Sequence, residues 1–303
     1  MQIEEKKHIL RKRQLITQAA RAFFYSQNFW EIETPCRIPA PIPETYIDSV
    51  VSGSWFLQAS PEICMKRLLA AGYKKIFQIC KCYREGERGS RHLPEFTLLE
   101  WYRSDSDYTD LMADCENLFG HIAASLEAGM RLDYQGKNLE LDPPWERITV
   151  DEAFRLYASV PLEEAIHTGQ FEEILVDKVE PFLGIRKPTF IYDYPLPLAS
   201  LARRKRNNSS LAERFELYLF GMELANGFSE LIDPAEQRKR FEETAQERLQ
   251  WRKPNYPMPE PFLHDLANMP EAAGIALGLD RLIMIMTNAG IIDDVVAFTP
   301  EML

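Results

Sequence analysis

Charged and aromatic side chains concentrate in residues 83–102, between two apolar runs that predict strands. The segment holds three arginines, a histidine and an aromatic side chain: Arg84, Arg88, Arg91, His92 and Phe96. Its two glycines predict a hairpin loop. Arginine suits phosphate because its planar guanidinium donates two parallel hydrogen bonds to anionic oxygens. Since an aromatic ring at the start of the return strand offers a stacking surface for a base, the segment predicts a nucleotide site.

Carboxylates form a second group of candidate functional residues. Alternate strand residues share a face, so the return strand divides into two sets. One set is Phe96, Leu98, Glu100 and Tyr102, and the other is Thr97, Leu99, Trp101 and Arg103. Because an unpaired buried carboxylate is costly, Glu100 is expected to meet a cation, either in a structural salt bridge or in a binding site. The same question arises for Glu62, Glu223 and Glu230, although Glu62 is also favoured by the dipole of the helix that it begins.

Glu216 and Glu223 are candidate metal ligands. They lie seven residues apart, which places them on opposite faces of an unbroken strand, but Gly221 offers a turn or bulge that would change this parity. Two carboxylates beside a triphosphate would suit Mg²⁺, a hard ion that prefers oxygen ligands. Parity alone leaves open whether the two carboxylates converge.

Composition places the chain among ordinary globular proteins. Its 303 residues are 46% hydrophobic and 27% charged, and no apolar stretch approaches the ~20 residues that span a bilayer. The first residues lack the apolar core of a secretory signal. A cytoplasmic protein without a membrane segment is therefore expected.

Net charge and cysteine usage narrow the partners and chemistry further. A net charge of −11 argues against a surface built mainly to hold polyanions. The basic clusters at residues 6–13 and 203–206 are interpreted as solvated faces or loops, although the second lies beside a polar segment that would suit a partner. Five cysteines without a second CxxC-like pair are interpreted as reduced structural thiols rather than a metal or redox site.

Helical and strand patterns predict the elements that position these residues. Helices are expected at 4–27, from Ser60 to Gly72, at 108–126 and at 234–251, and strands at 76–84, 96–103, 189–194 and 214–220. Asn226-Gly227 predicts a turn, and residues 273–288 predict a strand, a glycine turn and a helix. Residues 130–185 indicate no chemistry. Without a repeat or a Gly/Ser linker, residues 1–303 are expected to form one α+β domain with a mainly antiparallel sheet.

Four segments together resemble the class II aminoacyl-tRNA synthetases, and most closely the lysyl-tRNA synthetase catalytic domain. Residues 31–35 resemble the first class motif, residues 83–96 the second and residues 274–281 the third. Residues 223–231 resemble the lysine-specific signature. The resemblance implies an antiparallel sheet flanked by helices and a homodimer, with the first motif at the dimer interface.

The chain is also similar to a shorter family, the elongation factor P lysyltransferases, because it begins at the catalytic domain and residues 95–103 resemble that family more closely. The resemblance implies no anticodon-binding domain and a lysine side chain of elongation factor P as the acceptor. Ala276 stands where tRNA-charging lysyl enzymes carry glycine, which would reshape the pocket. Leu93 replaces an asparagine that contacts adenine, and Glu87 lies three residues after Arg84 rather than two.

The resemblance also implies a role for each candidate residue in forming an aminoacyl adenylate from ATP and lysine or (R)-β-lysine. Arg84 and Arg281 are the catalytic pair, with Arg84 on the α-phosphate and Arg281 on the γ-phosphate and the adenine, opposite Phe96. Nucleotide contacts further include Glu87, Arg91 and His92, and Glu216 and Glu223 would hold Mg²⁺. The amino-acid pocket comprises Glu62, Glu100, Tyr102, Asn226, Phe228, Glu230 and Ala276.

Two other functions are weighed against this one. A minimal synthetase charging tRNA is disfavoured by the acidic charge, by Ala276 and by the expected lack of an anticodon-binding domain, so stable tRNA binding is not expected. A non-catalytic regulator that binds an amino acid or a nucleotide has little need of Arg84, Arg281 and both candidate metal carboxylates.

Overall fold

The protein is described by a computed structural model that covers residues 3–127 and 129–303. The helices are α1 (Lys7–Ser26), α2 (Glu62–Ala70), α3 (Tyr108–Ser125), α4 (Val150–Tyr157), α5 (Leu162–His167), α6 (Phe171–Ile174), α7 (Pro234–Gln250), α8 (Glu260–Leu266) and α9 (Leu279–Met286). A π-helix (Leu175–Val179) and 3₁₀ turns (Glu180–Phe182, Leu196–Leu198, Ile292–Val295 and Pro300–Met302) complete the helical segments. In the part of the chain that is described, no helix combines the length and the apolar character needed to cross a membrane.

The strands form one large sheet and two small ones. They are β1 (Trp30–Glu31), β2 (Arg37–Ile38), β3 (Val51–Ser52), β4 (Trp55–Leu57), β5 (Lys75–Tyr83), β6 (Glu95–Ser104), β7 (Arg131–Tyr134), β8 (Lys137–Glu140), β9 (Glu146–Thr149), β10 (Thr189–Pro195), β11 (Arg204–Lys205), β12 (Asn208–Leu219), β13 (Met222–Ser229) and β14 (Ala272–Gly278). The large sheet has the order β1-β5-β6-β14-β13-β12-β10-β9, with β11 paired to β12. Only its two outer pairs, β1·β5 and β9·β10, are parallel among the described strands. The prediction of an α+β fold with a mainly antiparallel sheet is confirmed.

The predicted helices and the first hairpin are confirmed by local contacts as well as by their bounds. The backbone N–H of Glu62 donates to Ser60 Oγ at 3.0 Å at the start of α2, and Gly72 ends this segment with a φ of +96°. Helix α3 begins with a capping box between Asp107 and Asp110. Strands β5 and β6 pair from Lys75 to Tyr83 as the predicted hairpin.

The turn predicted at Asn226-Gly227 is wrong. Both residues lie within β13, and the chain instead reverses at Phe220 and Gly221, which have φ values of 55° and 69°. Gly227 has a packing role, because a Cβ built on it would lie 2.8 Å from the ring of Phe215 on β12. The glycine therefore permits close packing in the middle of the sheet, and tertiary contacts override the local turn preference.

The two faces of the sheet serve different purposes. One face packs on α1, α3 and α9 through large apolar side chains, including Phe77, Leu99, Trp101, Leu217 and Ile275. On the opposite face, Tyr102 packs with Ile63 and Phe241, which belong to α2 and α7. The division of β6 by alternation is thereby confirmed: Thr97, Leu99 and Trp101 face the first layer, and the side chains between them face the second.

The basic cluster at residues 203–206 is held by acidic neighbours. Arg203 pairs with Glu213 at 2.8 Å and Arg204 with Glu236 at 3.1 Å. Lys205 contacts Asp193, and Arg206 contacts Glu271. Since every member has a carboxylate partner, the cluster joins β11 to the elements around it. Arg204 and Arg206 are exposed, as expected for a solvated loop, whereas Arg203 and Lys205 are mostly covered.

The five cysteines are free thiols, and two of them lie on β5. Their sulfur atoms, in Cys80 and Cys82, are 3.8 Å apart. Burial, followed by the contact with Cys80, raises the pKa of Cys82 well above its usual value. A protonated, buried thiol is a poor nucleophile and a poor metal ligand, which agrees with the predicted structural role.

Candidate active site

A deep cleft of about 1090 Å³ lies over the second face of the sheet. Most of the predicted site residues line it: Glu62, Arg84, Glu87, Arg91, His92, Phe96, Glu216, Glu223, Asn226, Phe228, Ala276 and Arg281. Glu100, Tyr102 and Glu230 are buried in the wall behind the cleft. Arg84 and Arg281, nearly 200 residues apart in sequence, therefore share one cavity.

Strand register explains why these side chains meet. Ala276 on β14 pairs with Glu100 on β6 and with Asn226 on β13, and Asn226 in turn pairs with Glu216 on β12. Directly paired residues share a face of a sheet. A second row runs Tyr102, Gly274, Phe228 and Arg214. The two rows form the floor of the cleft and carry polar side chains from four strands.

An irregularity in the β12–β13 hairpin brings Glu223 and Asn226 to the same face. The turn pairs Tyr218 with Glu223, and the register then shifts by one residue so that Glu216 pairs with Asn226. Without the shift, Asn226 would pair with Phe215 and face the opposite layer. The turn at Gly221 accounts for Glu223, as the sequence suggested, and the bulge accounts for Asn226.

Arg84 forms the first part of a cationic end of the cleft. Its guanidinium lies 4.9 Å from the centre of the Phe96 ring, and its Nη1 is 3.5 Å from Glu87 Oε1. The buried Nε has no hydrogen-bond partner among the residues described. A guanidinium with unused donors facing a cleft is suited to an anionic ligand.

Arg281 forms the second part of this end, at the start of α9. Its Nη1 donates to the Glu223 carbonyl at 2.8 Å, and its Nε donates to the Arg91 carbonyl at 3.3 Å. Its Nη2 lies 2.5 Å from His92 Nε2. Desolvation and the Arg281 charge lower the pKa of His92, so the imidazole is neutral at pH 7 and can accept this hydrogen bond.

Glu216 and Glu223 converge, and they differ in their partners. Glu216 accepts hydrogen bonds from Arg214 Nη2 at 2.8 Å and from the Tyr218 hydroxyl at 2.7 Å. Glu223 exposes 36% of its side chain to the cleft, and desolvation there, followed by repulsion from Glu216, raises its pKa to about 7. No group of three or more His, Cys, Asp or Glu side chains with metal-binding geometry occurs in the described residues. Two carboxylates that repel each other fit a divalent cation, and their metal role stays a prediction.

Lys66 lies between two of the predicted pocket carboxylates. Its Nζ is 2.5 Å from Glu62 Oε1 and 2.5 Å from Glu230 Oε2, and 5.0 Å from the Phe228 ring centre. Burial disfavours the charged lysine, but Glu230 and Glu62 outweigh this effect and raise its pKa. The lysine is therefore a buried, permanently charged ammonium group.

Glu100 forms no salt bridge with the described residues, so the structural alternative is wrong, and a cation in a binding site stays a prediction. Its Oε2 accepts a hydrogen bond from the Tyr102 hydroxyl at 3.2 Å, and no salt bridge to it occurs among the described residues. Burial, followed by the charge of Glu62, raises its pKa to about 8. Burial likewise raises the pKa of Glu230 to about 8. Protonation, rather than pairing, reduces the cost of burying Glu100.

Gly274 leaves space for the Tyr102 ring and the Glu230 carboxyl beside the cleft. A methyl group on it would overlap the Tyr102 ring and lie 2.6 Å from Glu230 Oε1. This Oε1 atom and Glu100 Oε1 are buried without a hydrogen-bond partner among the described residues. Two acidic oxygens therefore remain available for donors that the described protein does not supply.

Sequence reasoning missed three charged residues of the site: Lys66, Arg214 and Glu180. Lys66 lies one helical turn after Glu62, and Arg214 lies two strand positions before Glu216, so both spacings were visible. Glu180 is near the metal candidates, 3.2 Å from the Tyr218 hydroxyl. It comes from the segment 130–185 to which no chemistry was assigned, and no local pattern marks it.

The sheet, the four-strand cleft and the three motifs in order define the class. Residues 1–302 match the family model described as tRNA synthetases class II (D, K and N), and the chain belongs to this family. An elongation factor P–(R)-β-lysine ligase of Pectobacterium carotovorum is 39% identical, over 96% of this chain and 95% of that protein. One of Pseudoalteromonas translucida is 38% identical, over 95% and 94%. A lysine–tRNA ligase of Carboxydothermus hydrogenoformans is 35% identical, over 96% of this chain but 64% of that protein.

Proposed function

We propose that this protein is an AMP-forming ligase that activates lysine or (R)-β-lysine with ATP and transfers it to a lysine side chain of elongation factor P. The observation that carries the proposal is a single cleft with opposite charges at its two ends. Arg84 and Arg281 line one end, and Glu62 lines the other, with Glu100 and Glu230 behind it. The names of the full-length relatives support the acceptor.

The cationic end fits a nucleotide. Arg84 and Arg281 bind phosphate oxygens in this proposal, with Arg91, His92 and Glu87 around the outer phosphates. Phe96 and the Arg281 guanidinium hold the adenine between them. Glu216 and Glu223 would hold Mg²⁺, which neutralises phosphate charge when bound. The unused Arg84 Nε supports an anionic ligand at this end.

The acidic end fits a diamino substrate. Glu100 Oε1 and Glu230 Oε1 accept its ammonium groups in this proposal, and Glu62, Tyr102, Asn226 and Phe228 complete the pocket. Ala276 pairs with Glu100 and Asn226, so its methyl group lies on the pocket floor between them. The substrate carboxylate would then point towards Arg84.

The first step forms a bond between a substrate carboxylate oxygen and the α-phosphorus of ATP and breaks the bond to pyrophosphate. Arg84 stabilises the charge that develops on the α-phosphate, because its guanidinium is already oriented by Phe96 and Glu87. Positioning and electrostatics supply most of the catalysis at phosphorus, so no acid–base pair is required here.

In the second step, the neutral amine of the acceptor lysine attacks the carbonyl carbon of the adenylate. An amide bond forms, AMP leaves, and the amine loses a proton to solvent.

Transfer to tRNA is the second candidate, because lysine–tRNA ligases are 33–35% identical to this chain. Both candidates share adenylate formation and differ in the acceptor. The elongation factor P ligases are 37–39% identical to this chain and the lysine–tRNA ligases 33–35%, which favours the protein acceptor.

One experiment separates the candidates. The protein is incubated with ATP, Mg²⁺ and either α-lysine or (R)-β-lysine, and with elongation factor P or bulk tRNA. The intact mass of the factor should rise by one lysyl residue, and acid-precipitable label on tRNA should stay at background. Charged tRNA with unmodified factor would favour the second candidate, and no ATP–pyrophosphate exchange with either amino acid would indicate a regulator.

We also propose a homodimer. Trp30 on the edge strand β1 is 66% exposed and packs edge-on against Tyr73, with 5.7 Å between ring centres. Exposed aromatic side chains are enriched at protein interfaces. Sedimentation equilibrium should give twice the chain mass, and Trp30→Glu should shift the protein towards the monomer.

A further inference from the structure

Lys66 is a charged residue in the amino-acid pocket that the mechanism above does not use. Only 1% of its surface is accessible, and it does not line the cleft, whereas its neighbours Glu62 and Phe228 do. A lysine in this position cannot reach the reacting atoms. It can act only through the side chains that it contacts.

The contacts of Lys66 join two elements that bind the same substrate. Glu62 comes from α2, in the same helix as Lys66, and Glu230 follows β13. The ammonium group lies 2.5 Å from a carboxylate oxygen of each. Two carboxylates held by one ammonium group cannot move apart or rotate without breaking a buried ion pair, which is strongly destabilising.

The pocket holds more carboxyl groups than the Lys66 ammonium group can neutralise. A bound dication favours ionisation of Glu100 and Glu230, which with Glu62 gives the occupied pocket three carboxylates, and the single Lys66 charge offsets one of them. Glu44, on the segment before β3, also lies near Glu62 and Lys66, but burial, followed by the Glu62 charge, raises its pKa and favours its neutral form. Two open carboxyls match a substrate with two ammonium groups.

We propose that Lys66 is a positioning residue for the amino-acid substrate: its ammonium group holds Glu62 against Glu230 and cancels one of three pocket carboxylates, so that the pocket accepts a dication. The inference rests on the proposed function for the identity of the substrate. It goes beyond that function by assigning substrate charge selection to a residue that never touches the substrate.

Removing Lys66 alone should weaken binding of the dication. Lys66→Met leaves three carboxyls and no internal cation, so that Glu62 and Glu230 are no longer held together. Breaking a buried pair should raise the KM for lysine about 100-fold, while the KM for ATP changes less than about threefold. The KM–pH profile for lysine should move to higher pH, because without the Lys66 charge the carboxyls of Glu100 and Glu230 ionise less readily.

A matched control comes from the next residue of the same helix. Arg67 points outward to Asp265 at 2.6 Å and is half-exposed. Arg67→Met removes one cation from α2 without touching the pocket, so its KM for lysine and its pH profile should equal those of the unsubstituted protein.

In the decisive test, removing Lys66 should strengthen diamine binding instead of weakening it. Glu230→Gln leaves two carboxyls and Lys66, a net charge of −1 that mismatches a dication. Adding Lys66→Met to this variant restores a net charge of −2 and leaves no buried lysine without a partner. The second substitution should therefore tighten binding roughly tenfold in the Glu230→Gln background, although it weakens binding in the native background. A purely structural lysine would weaken binding in both.

Binding is measured by calorimetry with 1,5-diaminopentane, which tests the pocket without adenylate chemistry, and lysine-dependent ATP–pyrophosphate exchange is followed separately. The double variant keeps the test decisive if Lys66→Met alone fails to fold. Equal weakening in both backgrounds, or a Lys66→Met protein that behaves like Arg67→Met, would overturn the inference. No exchange in the unsubstituted protein, together with the sign reversal in diamine binding, would refute the proposed function and leave the inference standing.

Discussion

The two ends of the cleft hold their charged groups in different environments. At the cationic end, Arg84 and Arg281 remain partly accessible. Their carboxylate partners, Glu87 and Glu223, lie at 3.5 and 3.6 Å, and their other partners are backbone carbonyls, an aromatic ring and a histidine. At the acidic end, Glu100 and Glu230 are fully buried, and their pKa values rise to about 8. Arginine keeps its charge in any environment, whereas a carboxyl can lose its charge.

This difference indicates a division of labour. Partly exposed guanidiniums bind phosphates strongly but select little, because many anions satisfy them. Buried carboxyls with unused oxygens reject any substrate that cannot supply matching donors, since the unpaired groups would then be costly. We therefore expect substitutions at the cationic end to reduce rate and substitutions at the acidic end to reduce selectivity.

The largest effect is expected from Arg84→Ala. Loss of an oriented charge at the α-phosphate should lower kcat for lysine-dependent ATP–pyrophosphate exchange at least about 100-fold. Binding of 1,5-diaminopentane should be unchanged, because the acidic end is intact. Near-normal exchange would show that Arg84 is not a catalytic residue and would contradict the proposed division of roles between the two ends of the cleft.

Glu230→Gln should have the next largest effect, and on the other substrate. One charge and one ammonium site are lost, so the KM for lysine should rise about 50-fold, with little change in the KM for ATP. Glu95→Gln is the control, since Glu95 is exposed and its pairing with Lys81 at 3.6 Å is weak. Equal losses for lysine and ATP would exclude Glu230 from the selective end.

Two glycines of β14 allow the two ends of the cleft to be compared through the same substitution, glycine to alanine. Gly274→Ala forces a methyl group against Tyr102 and Glu230, so it should raise the KM for lysine about 20-fold. Gly278→Ala adds the same methyl at the other end, 3.6 Å from Arg281 Cδ, an ordinary contact distance. It should alter the KM for ATP only, and by less than about threefold. A larger effect from Gly278→Ala would reverse the assignment of the ends.

The smallest predicted effect is that of pH. The pKa values of Glu100 and Glu230, about 8 without substrate, mean that both are largely protonated at pH 7. Raising the pH through 8 ionises them, so the KM for lysine should fall about fivefold between pH 7 and 8.5. The KM for ATP should change less over this range. A KM for lysine that rises with pH would contradict the assignment of these carboxyls.

Periodic patterns predicted the long elements and the return strand of the first hairpin. Alternation was sufficient for Phe96, Glu100 and Tyr102 because β6 is regular over its whole length. It was insufficient for Glu223 and Asn226, whose shared face depends on a bulge between β12 and β13. The turn prediction at Asn226-Gly227 was wrong because glycine is required there by close packing against Phe215 on the neighbouring strand. Local turn preferences carry no information about such a contact.

Charge partners were harder to predict than positions. Glu100 was expected to meet a cation in a structural salt bridge or in a binding site, and the buried cation of the protein itself, Lys66, pairs with Glu62 and Glu230 instead. The choice depends on the distances between α2 and the side chains of the sheet. Such distances are set by packing of the whole layer, and no sequence spacing encodes them.

Because of the bulge between Glu223 and Asn226, the faces that these side chains occupy depend on the number of residues in the hairpin more than on which residues they are. Conservative exchanges of its apolar residues should be absorbed by the neighbouring layers. Deleting a single residue there would turn one of the two polar side chains to the core side, however similar the remaining amino acids are. Chimeras between this protein and its relatives should therefore keep the number of residues from 216 to 226 constant, and libraries that vary loop length should avoid this span.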